Sequence, residues 1–186
     1  LMEKIGLTPA DFLYRKYPHQ ISGGQAQRVV LGRALVTNPE FIVADEPIAM
    51  ADVSVRALIL ELMKALKDEF QLTYLFISHD LATAKYLCDR IAIMYLGRIV
   101  ELGSRDELFG HPHHPYTRAL LDAVPVPDPK ARRTEEVVRG EIPSAIDPPS
   151  GCHFHPRCPY VMDSCRQGRP PLKEVTAGHL SACLLD

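Results

Sequence analysis

The stretch FIVADEP, residues 41–47, decides the fold of this chain. Four apolar residues lead directly into Asp45 and Glu46. Such a run is too short for a helix, and apolar side chains on both faces are typical of a buried parallel strand. The run TYLFI at 73–77 repeats the pattern. Two strands of this kind, separated by a long helical pattern, predict an α/β layer with a mainly parallel sheet.

Further elements follow the same rhythm on both sides of these strands. Helices are predicted over about 22–36, 54–70 and 81–90, and short strands over 91–95 and 98–103. In the helix over 54–70 the apolar residues at helical spacing are Val55, Leu58, Leu62 and Leu66. Short helices are expected after Ser104 and over 116–123, and then an extended Pro-rich connection over 124–150.

The carboxyl end of each buried strand is followed by polar residues with possible chemical roles. Ligands of open α/β sheets bind beyond this edge. Asp45 suits Mg²⁺, Glu46 suits the water that attacks a γ-phosphate, and His79 suits a hydrogen bond to that phosphate. Taken singly, the acids could instead begin a loop and the histidine could be a core residue. Their order after these two strands favours a site.

A second phosphate-binding signal lies in ISGGQ, residues 21–25. Ser22, Gly23 and Gly24 precede a helical run, so bare backbone N–H groups would lie at the positive end of a helix dipole. The chain has no G-x-x-x-x-G-K-[ST] loop, which is the usual cradle for nucleotide phosphates. This helix is therefore expected to supply only part of a phosphate site.

Composition limits the class of partner. The chain has 186 residues, is 46% hydrophobic and 24% charged, and carries a formal net charge of -2. A protein that binds nucleic acid normally shows a basic excess, so nucleic acid is not expected as the main partner. No apolar run is long enough to span a membrane. The first residue is Leu1, inside a helical pattern, which suggests a piece of a longer protein.

Together these motifs resemble the ATP-hydrolysing subunits of ABC transporters. The resemblance rests on YPHQISGGQAQRVVLGRAL at 17–35, FIVADEP at 41–47, Asp52, and Ser-His-Asp at 78–80. Three later motifs narrow it to the importers of peptides and nickel. They are HPHHPYTRALLDAVPVPDP at 111–129, GEIPS at 140–144 and GCHFHPRCP at 151–159.

This resemblance implies a fold and a role for each motif. The fold would be the C-terminal part of a P-loop, RecA-like α/β ATPase domain with a helical signature subdomain, plus a small Cys-rich C-terminal extension. The ranges would be 1–38 for part of the signature subdomain, 39–103 for the ATPase core and 104–186 for the importer-type C-terminal region. ATP and Mg²⁺ would be the cofactors. The implied site residues are Ser22, Gly23, Gly24 and Gln25 in the signature loop, Asp45 as the Walker B aspartate, Glu46 as the catalytic glutamate, Asp52 in the D-loop and His79 as the switch histidine.

The resemblance also implies partners. In the family two ATPase subunits pack head to tail, and each signature helix faces ATP that is held by the P-loop of the other subunit. A second ATPase subunit, two permeases and, indirectly, a substrate-binding protein are therefore expected, at the cytoplasmic face of the inner membrane. Since the P-loop would lie upstream of Leu1, the chain alone is not expected to hydrolyse ATP. Residues 48–51, IAMA, replace the usual Thr-Ser-Ala-Leu before Asp52. This difference favours a paralogous ATPase over a second copy of this chain as the partner subunit.

Two other functions are compatible with parts of the pattern. A soluble ABC ATPase acting in DNA repair or translation would share the signature and Walker B motifs, but the basic or coiled-coil insertions expected of it are not present. A non-catalytic metal-binding module would be the remaining option if the gene began at Leu1.

Four cysteines in the last 35 residues need an account of their own. Cys152, Cys158, Cys165 and Cys183 follow C-x5-C-x6-C-x17-C. A disulfide pair is disfavoured in a cytosolic ATPase, whereas structural Zn²⁺ on four thiolates is chemically sound. A [4Fe–4S] cluster also takes four cysteines, and the resemblance favours it, because some peptide-importer ATPases carry one here. The histidines at 111, 113 and 114 are expected to form a turn at the surface rather than a metal site.

Overall fold

A computed structural model of the chain describes residues 1–49, 52–124 and 140–185. They group into two compact units, Leu1–Thr83 and Ala84–Asp186. The helices are α1 (Ala10–Leu13), α2 (Gly23–Leu35), α3 (Val53–Phe70), α4 (Leu81–Leu87), α5 (Arg105–Gly110), α6 (Pro115–Ala123) and α7 (Ser164–Gln167). The strands are β1 (Phe41–Asp45), β2 (Thr73–Ile77), β3 (Arg90–Tyr95), β4 (Arg98–Ser104), β5 (Lys173–Thr176) and β6 (His179–Ser181). Within the described ranges, no helix is both long and apolar enough to cross a bilayer.

The first unit is built around one parallel strand pair. β1 and β2 run side by side, with Phe41 opposite Thr73 and Asp45 opposite Ile77. The predicted parallel pairing is confirmed, whereas the prediction that both faces of these strands are buried is wrong. In β1 only Ile42 and Ala44 are buried, and the side chains of the opposite face are exposed.

Helix α3 covers the buried face of this unit through a stripe that matches the predicted one only in part, since Leu62 and Leu66 face the core as predicted. Ile59, Met63 and Leu66 are each at most 1% exposed, whereas Leu58 is 56% exposed. Apolar residues occur on more than one face of α3, so spacing alone does not select the face that packs. The core cluster beneath it consists of Ile5, Leu7, Leu35, Ile42, Leu66 and Leu72.

The second unit contains an antiparallel sheet with strand order β3-β4-β6-β5. The prediction of a mainly parallel sheet is therefore wrong for this part of the chain. Leu96 and Gly97, both with positive φ, form the two-residue connection between β3 and β4. A turn of this length can join only antiparallel neighbours, and positive φ at both positions matches the twist of a hairpin.

The C-terminal tail does not form a separate appendage, because its last strand joins this sheet. β6 pairs with β4, with Glu101 opposite Ser181 and Leu102 opposite Leu180. Sequence analysis predicted neither β5 nor β6, since each is at most four residues long. Of the predicted connection over 124–150, residues 125–139 lie outside the described residues, and 140–150 contain no helix or strand.

Candidate functional site

The carboxyl ends of β1 and β2 bring two predicted site residues together. Glu46 follows β1 and donates its backbone N–H to the Ile77 carbonyl at 3.0 Å. His79 follows β2, and its Nδ1 lies 2.8 Å from Glu46 Oε1. The His79 side chain is 80% exposed and that of Glu46 37% exposed, so the pair is open to solvent. Asp45, the last residue of β1, lies beside Glu46 at the same end.

Asp80 stabilises the segment that joins β2 to α4 at this edge of the sheet. Its carboxylate accepts hydrogen bonds from the Thr83 hydroxyl at 2.7 Å and the Ala82 N–H at 2.9 Å, at the start of α4. Burial opposes ionisation of Asp80, but these hydrogen bonds and the guanidinium of Arg56 outweigh it and lower the pKa of the carboxyl. A charged Asp80 therefore fixes the segment that follows His79.

The signature residues form the start of α2. Ser22 Oγ accepts the Gln25 N–H at 3.2 Å, and Gln25 Oε1 accepts the Ser22 N–H at 2.9 Å, which completes a capping box. A Cβ added to Gly23 would meet no atom within 4 Å, whereas one added to Gly24 would lie 3.1 Å from Val55 Cγ1. A side chain at position 23 would thus meet no neighbouring atom, and each of the two polar side chains accepts the backbone N–H of the other residue.

Asp52 has a structural role that the sequence motif did not predict. Its Oδ1 accepts the Val55 N–H at 2.9 Å, so it is the N-cap of α3. Residues 50 and 51 of the altered D-loop lie outside the described residues. Nucleotide contact by Asp52 stays a prediction.

The four C-terminal cysteines line one small cavity of about 20 Å³ in the second unit. None of the four takes part in a disulfide bond; Cys165 and Cys183 are buried and the other two are partly buried. His114 and His155 also line this cavity. The prediction that the histidine turn lies at the surface is wrong for His114, which is 1% exposed because its ring packs against Phe154.

Burial disfavours the ionisation of two of these thiols, those of Cys152 and Cys158. It raises the pKa of Cys158 to about 11 and also raises the pKa of Cys152. Backbone N–H groups of Phe154 and His155 at Cys152, and of Tyr160 at Cys158, oppose that effect without cancelling it. Both thiols are therefore protonated near neutral pH, and a metal ion would have to displace their protons.

Gly151 brings two cysteine loops together and was missed by the sequence analysis. Cys152 donates its N–H to the Cys165 carbonyl at 2.8 Å. A Cβ on Gly151 would lie 2.2 Å from that carbonyl oxygen, and Gly151 has φ of +69°. Only glycine fits both requirements. The signal in the sequence was a glycine immediately before Cys152, the first of the four C-terminal cysteines.

The residue types at this cavity are those of a thiolate-bound centre, since four cysteines line a single space. Their arrangement is not that of a formed metal site. Across the described ranges, no three or more His, Cys, Asp or Glu side chains have the geometry of a metal site.

Two protein-family models match two different segments of the chain. Residues 1–49 match the ABC transporter family, and residues 100–165 match the oligopeptide/dipeptide transporter C-terminal region. The dipeptide transport ATP-binding protein DppF of Haemophilus influenzae is 49% identical over 183 residues, which are 98% of this chain and 55% of that protein. A relative from Brucella ovis is 49% identical over 185 residues, 100% of this chain and 58% of its own length.

Solved structures agree with the α/β fold. The ATP-binding cassette MJ1267 of an ABC transporter, in its ADP conformation, superposes with a TM-score of 0.52 at 32% identity. The match covers 60% of this chain and 44% of MJ1267.

This chain belongs to the family of ABC transporter ATP-binding proteins, in the branch with the oligopeptide/dipeptide transporter C-terminal region. It spans just over half the length of the curated relatives it matches.

Proposed function

We propose that this chain supplies the signature helix, the Walker B carboxylates and the switch histidine of an ATP-hydrolysing subunit in a peptide-class ABC importer. The observation that carries the proposal is the 2.8 Å contact between Glu46 Oε1 and His79 Nδ1 where β1 and β2 end. It joins a base and a hydrogen-bonding group at the edge where α/β sheets bind ligands.

Each residue at this edge has a distinct proposed task. Asp45 would hold Mg²⁺, the hard cation that neutralises charge on the transferred phosphate. Glu46 accepts the proton of the attacking water, and His79 holds Glu46 in place and donates a hydrogen bond toward the γ-phosphate. Ser22, Gly23, Gly24 and Gln25 would face ATP on a second ATPase subunit, with Asp52 close to the interface between them.

A chimaera tests this proposal, because the chain contains no P-loop motif. The part of DppF that precedes the matched region is joined to Leu1, and ATP hydrolysis is measured beside that of the 186-residue chain. We expect the chimaera to hydrolyse ATP and the chain alone to be inactive. Glu46→Gln in the chimaera should reduce hydrolysis by at least about a hundredfold while ATP still binds, because the base is lost and the shape is kept.

The matched control is Glu61→Gln, the same change on α3, which should leave hydrolysis within about twofold since surface substitutions have small effects. Unreduced hydrolysis in the Glu46→Gln chimaera would contradict the proposed role. Hydrolysis by the 186-residue chain alone would contradict the division of the site between segments.

The proposed setting is peripheral, on the cytoplasmic face of the inner membrane, where the subunit would pair with a second ATPase subunit and two permeases that receive peptide from a substrate-binding protein. The match of residues 100–165 to the oligopeptide/dipeptide transporter C-terminal region supports this setting over a DNA-repair or translation ATPase. Co-purification of the chimaera with a two-permease complex of a peptide importer tests it, and recovery of the permeases without the chimaera would contradict it.

We further propose that the four-cysteine cavity holds a structural [4Fe–4S] cluster, with Zn²⁺ as the alternative. The supporting observation is that Cys152, Cys158, Cys165 and Cys183 line one cavity. When bound, the centre would cross-link the loops that carry the four cysteines. After anaerobic purification we expect iron and acid-labile sulfide in the chain and their loss in Cys158→Ser, with Cys88→Ser as the control. A colourless protein with Zn²⁺ and no iron would exclude the cluster.

A further inference from the structure

Glu101 on β4 is a buried acid that none of the roles above uses. It is 0% exposed, yet three N–H groups reach its carboxylate. Oε1 accepts the His113 N–H and His179 Nε2–H, each at 2.8 Å, and Oε2 accepts the His114 N–H at 2.9 Å. Burying an acid costs free energy unless such donors compensate it. An acid retained here therefore has a specific structural task.

Two of the segments that Glu101 joins form walls of the cysteine cavity. His114 lines the cavity, and its Nδ1 accepts the Tyr116 N–H at the start of α6. His179 begins β6, and Cys183, another residue of the cavity wall, follows two residues after the end of this strand. The Ala182 N–H donates to the Val100 carbonyl at 2.8 Å and holds this segment beside β4.

Packing against neighbouring residues also holds the His179 ring in position. A Cβ on Gly103 would lie 3.0 Å from His179 Cδ2, so the ring packs directly against the glycine backbone. The His113 ring meets it edge-on, with centroids 5.0 Å apart. The ring thus fits one place, with Nε2 directed at Glu101.

We infer that Glu101 is the positioning residue of the four-cysteine cavity, because its carboxylate joins the hairpin, the turn before α6 and the strand before Cys183. The inference rests on the proposed function in that this cavity is taken to hold a metal centre. Glutamine has the same shape but only one acceptor oxygen, and its NH₂ group would face a buried N–H. Glu101→Gln should therefore loosen the cavity wall without adding bulk.

The experiment uses the whole chain with Cys88→Ser, which removes the thiol outside the cavity. Two quantities are measured: the rate at which a disulfide reagent, dithionitrobenzoate, modifies the thiols of the metal-free chain, and the iron or zinc bound per chain. Glu101→Gln should speed thiol modification by about tenfold, as local opening exposes the cysteines. It should weaken metal binding by about tenfold, the size of effect seen when support of metal ligands is lost.

Matched variants separate positioning from general damage. Glu174→Gln makes the same change at an exposed turn of β5–β6, where the carboxylate accepts the Gly178 N–H, and should change neither measurement. His179→Leu should act like Glu101→Gln, whereas His179→Gln retains an N–H donor and should restore slow modification. If Glu101→Gln unfolds the chain, comparison of His179→Leu with His179→Gln still tests the inference.

Each outcome has a definite meaning. Fast thiol modification in Glu101→Gln and His179→Leu, with rescue in His179→Gln, supports the inference even if the wild-type chain binds no metal, which would refute only the proposed cluster. Unchanged thiol modification and metal content in Glu101→Gln would overturn it. Equal effects of Glu101→Gln and Glu174→Gln would also overturn it, since the carboxylate at position 101 would then have no special role.

Discussion

Glu46 and His79 show how a candidate site depends on the position of single residues. Glu46 has φ of +46°, a left-handed conformation that is uncommon for a residue with a side chain. Its N–H bonds to the Ile77 carbonyl, so the turn after β1 is held against the end of β2. The strained backbone thus places the Glu46 carboxylate within hydrogen-bond distance of His79. Such strain persists at functional sites when the surrounding structure fixes it.

Asp80 leads to a prediction about pH. Its pKa is lowered in the folded chain, so its contribution to stability is present above the unfolded-state value, near 4, and is lost as the pH falls through the folded value. Asp80→Asn should lower the thermal midpoint at pH 7 and have little effect near pH 2. Thermal unfolding of both proteins from pH 2 to 7 measures this, and a difference that does not shrink on acidification would contradict it.

Among the elements, the helix ends of the first unit depend on side chains that the family motifs assign to nucleotide contacts. Ser22 caps α2 and Asp52 caps α3. A cap contributes about 1 kcal/mol to helix stability. Substitutions at either position therefore change stability as well as any nucleotide contact, and Asp52→Asn, which keeps the cap, is the variant that separates the two effects.

The loops around the cysteine cavity depend on a close approach at Gly151. Because a Cβ there would lie 2.2 Å from the Cys165 carbonyl oxygen, Gly151→Ala should cost about 2 kcal/mol or more of folding free energy in the second unit. Gly168→Ala is the control, since a Cβ at that position meets no atom within 4 Å and its φ is -141°. Urea unfolding measures both, and equal losses in the two variants would contradict the prediction.

At the scale of the whole molecule, the first unit leaves an apolar sheet face exposed. Val43 and Leu75 lie opposite each other on β1 and β2 and are 55% and 50% exposed. Phe41 and Ile77 extend the same face and are also exposed. An apolar patch that spans two strands is unusual on a monomeric protein surface.

This face should bind apolar dyes. The double substitution Val43→Thr with Leu75→Thr places a polar residue of high strand propensity at both positions and should reduce the fluorescence of bound anilinonaphthalenesulfonate about twofold or more. Val36→Thr, at an exposed position outside the strands, is the control. Equal dye binding by the double variant and the wild-type chain would show that the dye binds elsewhere.

Local sequence determined the elements whose signals lie within a few residues. The helix starts near Ser22 and Ser104 and the strands at 41–45 and 73–77 follow from capping residues and apolar runs, and each is present. The pairing of Glu46 with His79 could also be anticipated, because the ends of parallel strands lie at one edge.

Only the tertiary structure decided which surfaces pack and which distant residues meet. The stripe that α3 buries, the pairing of β6 with β4 and the burial of His114 depend on neighbours far along the chain. The clearest case is Glu101, whose three donors come from residues 12, 13 and 78 positions away. Its sequence neighbours Val100 and Leu102 indicate only a strand, because the donors that make a buried acid tolerable come together only when the chain folds.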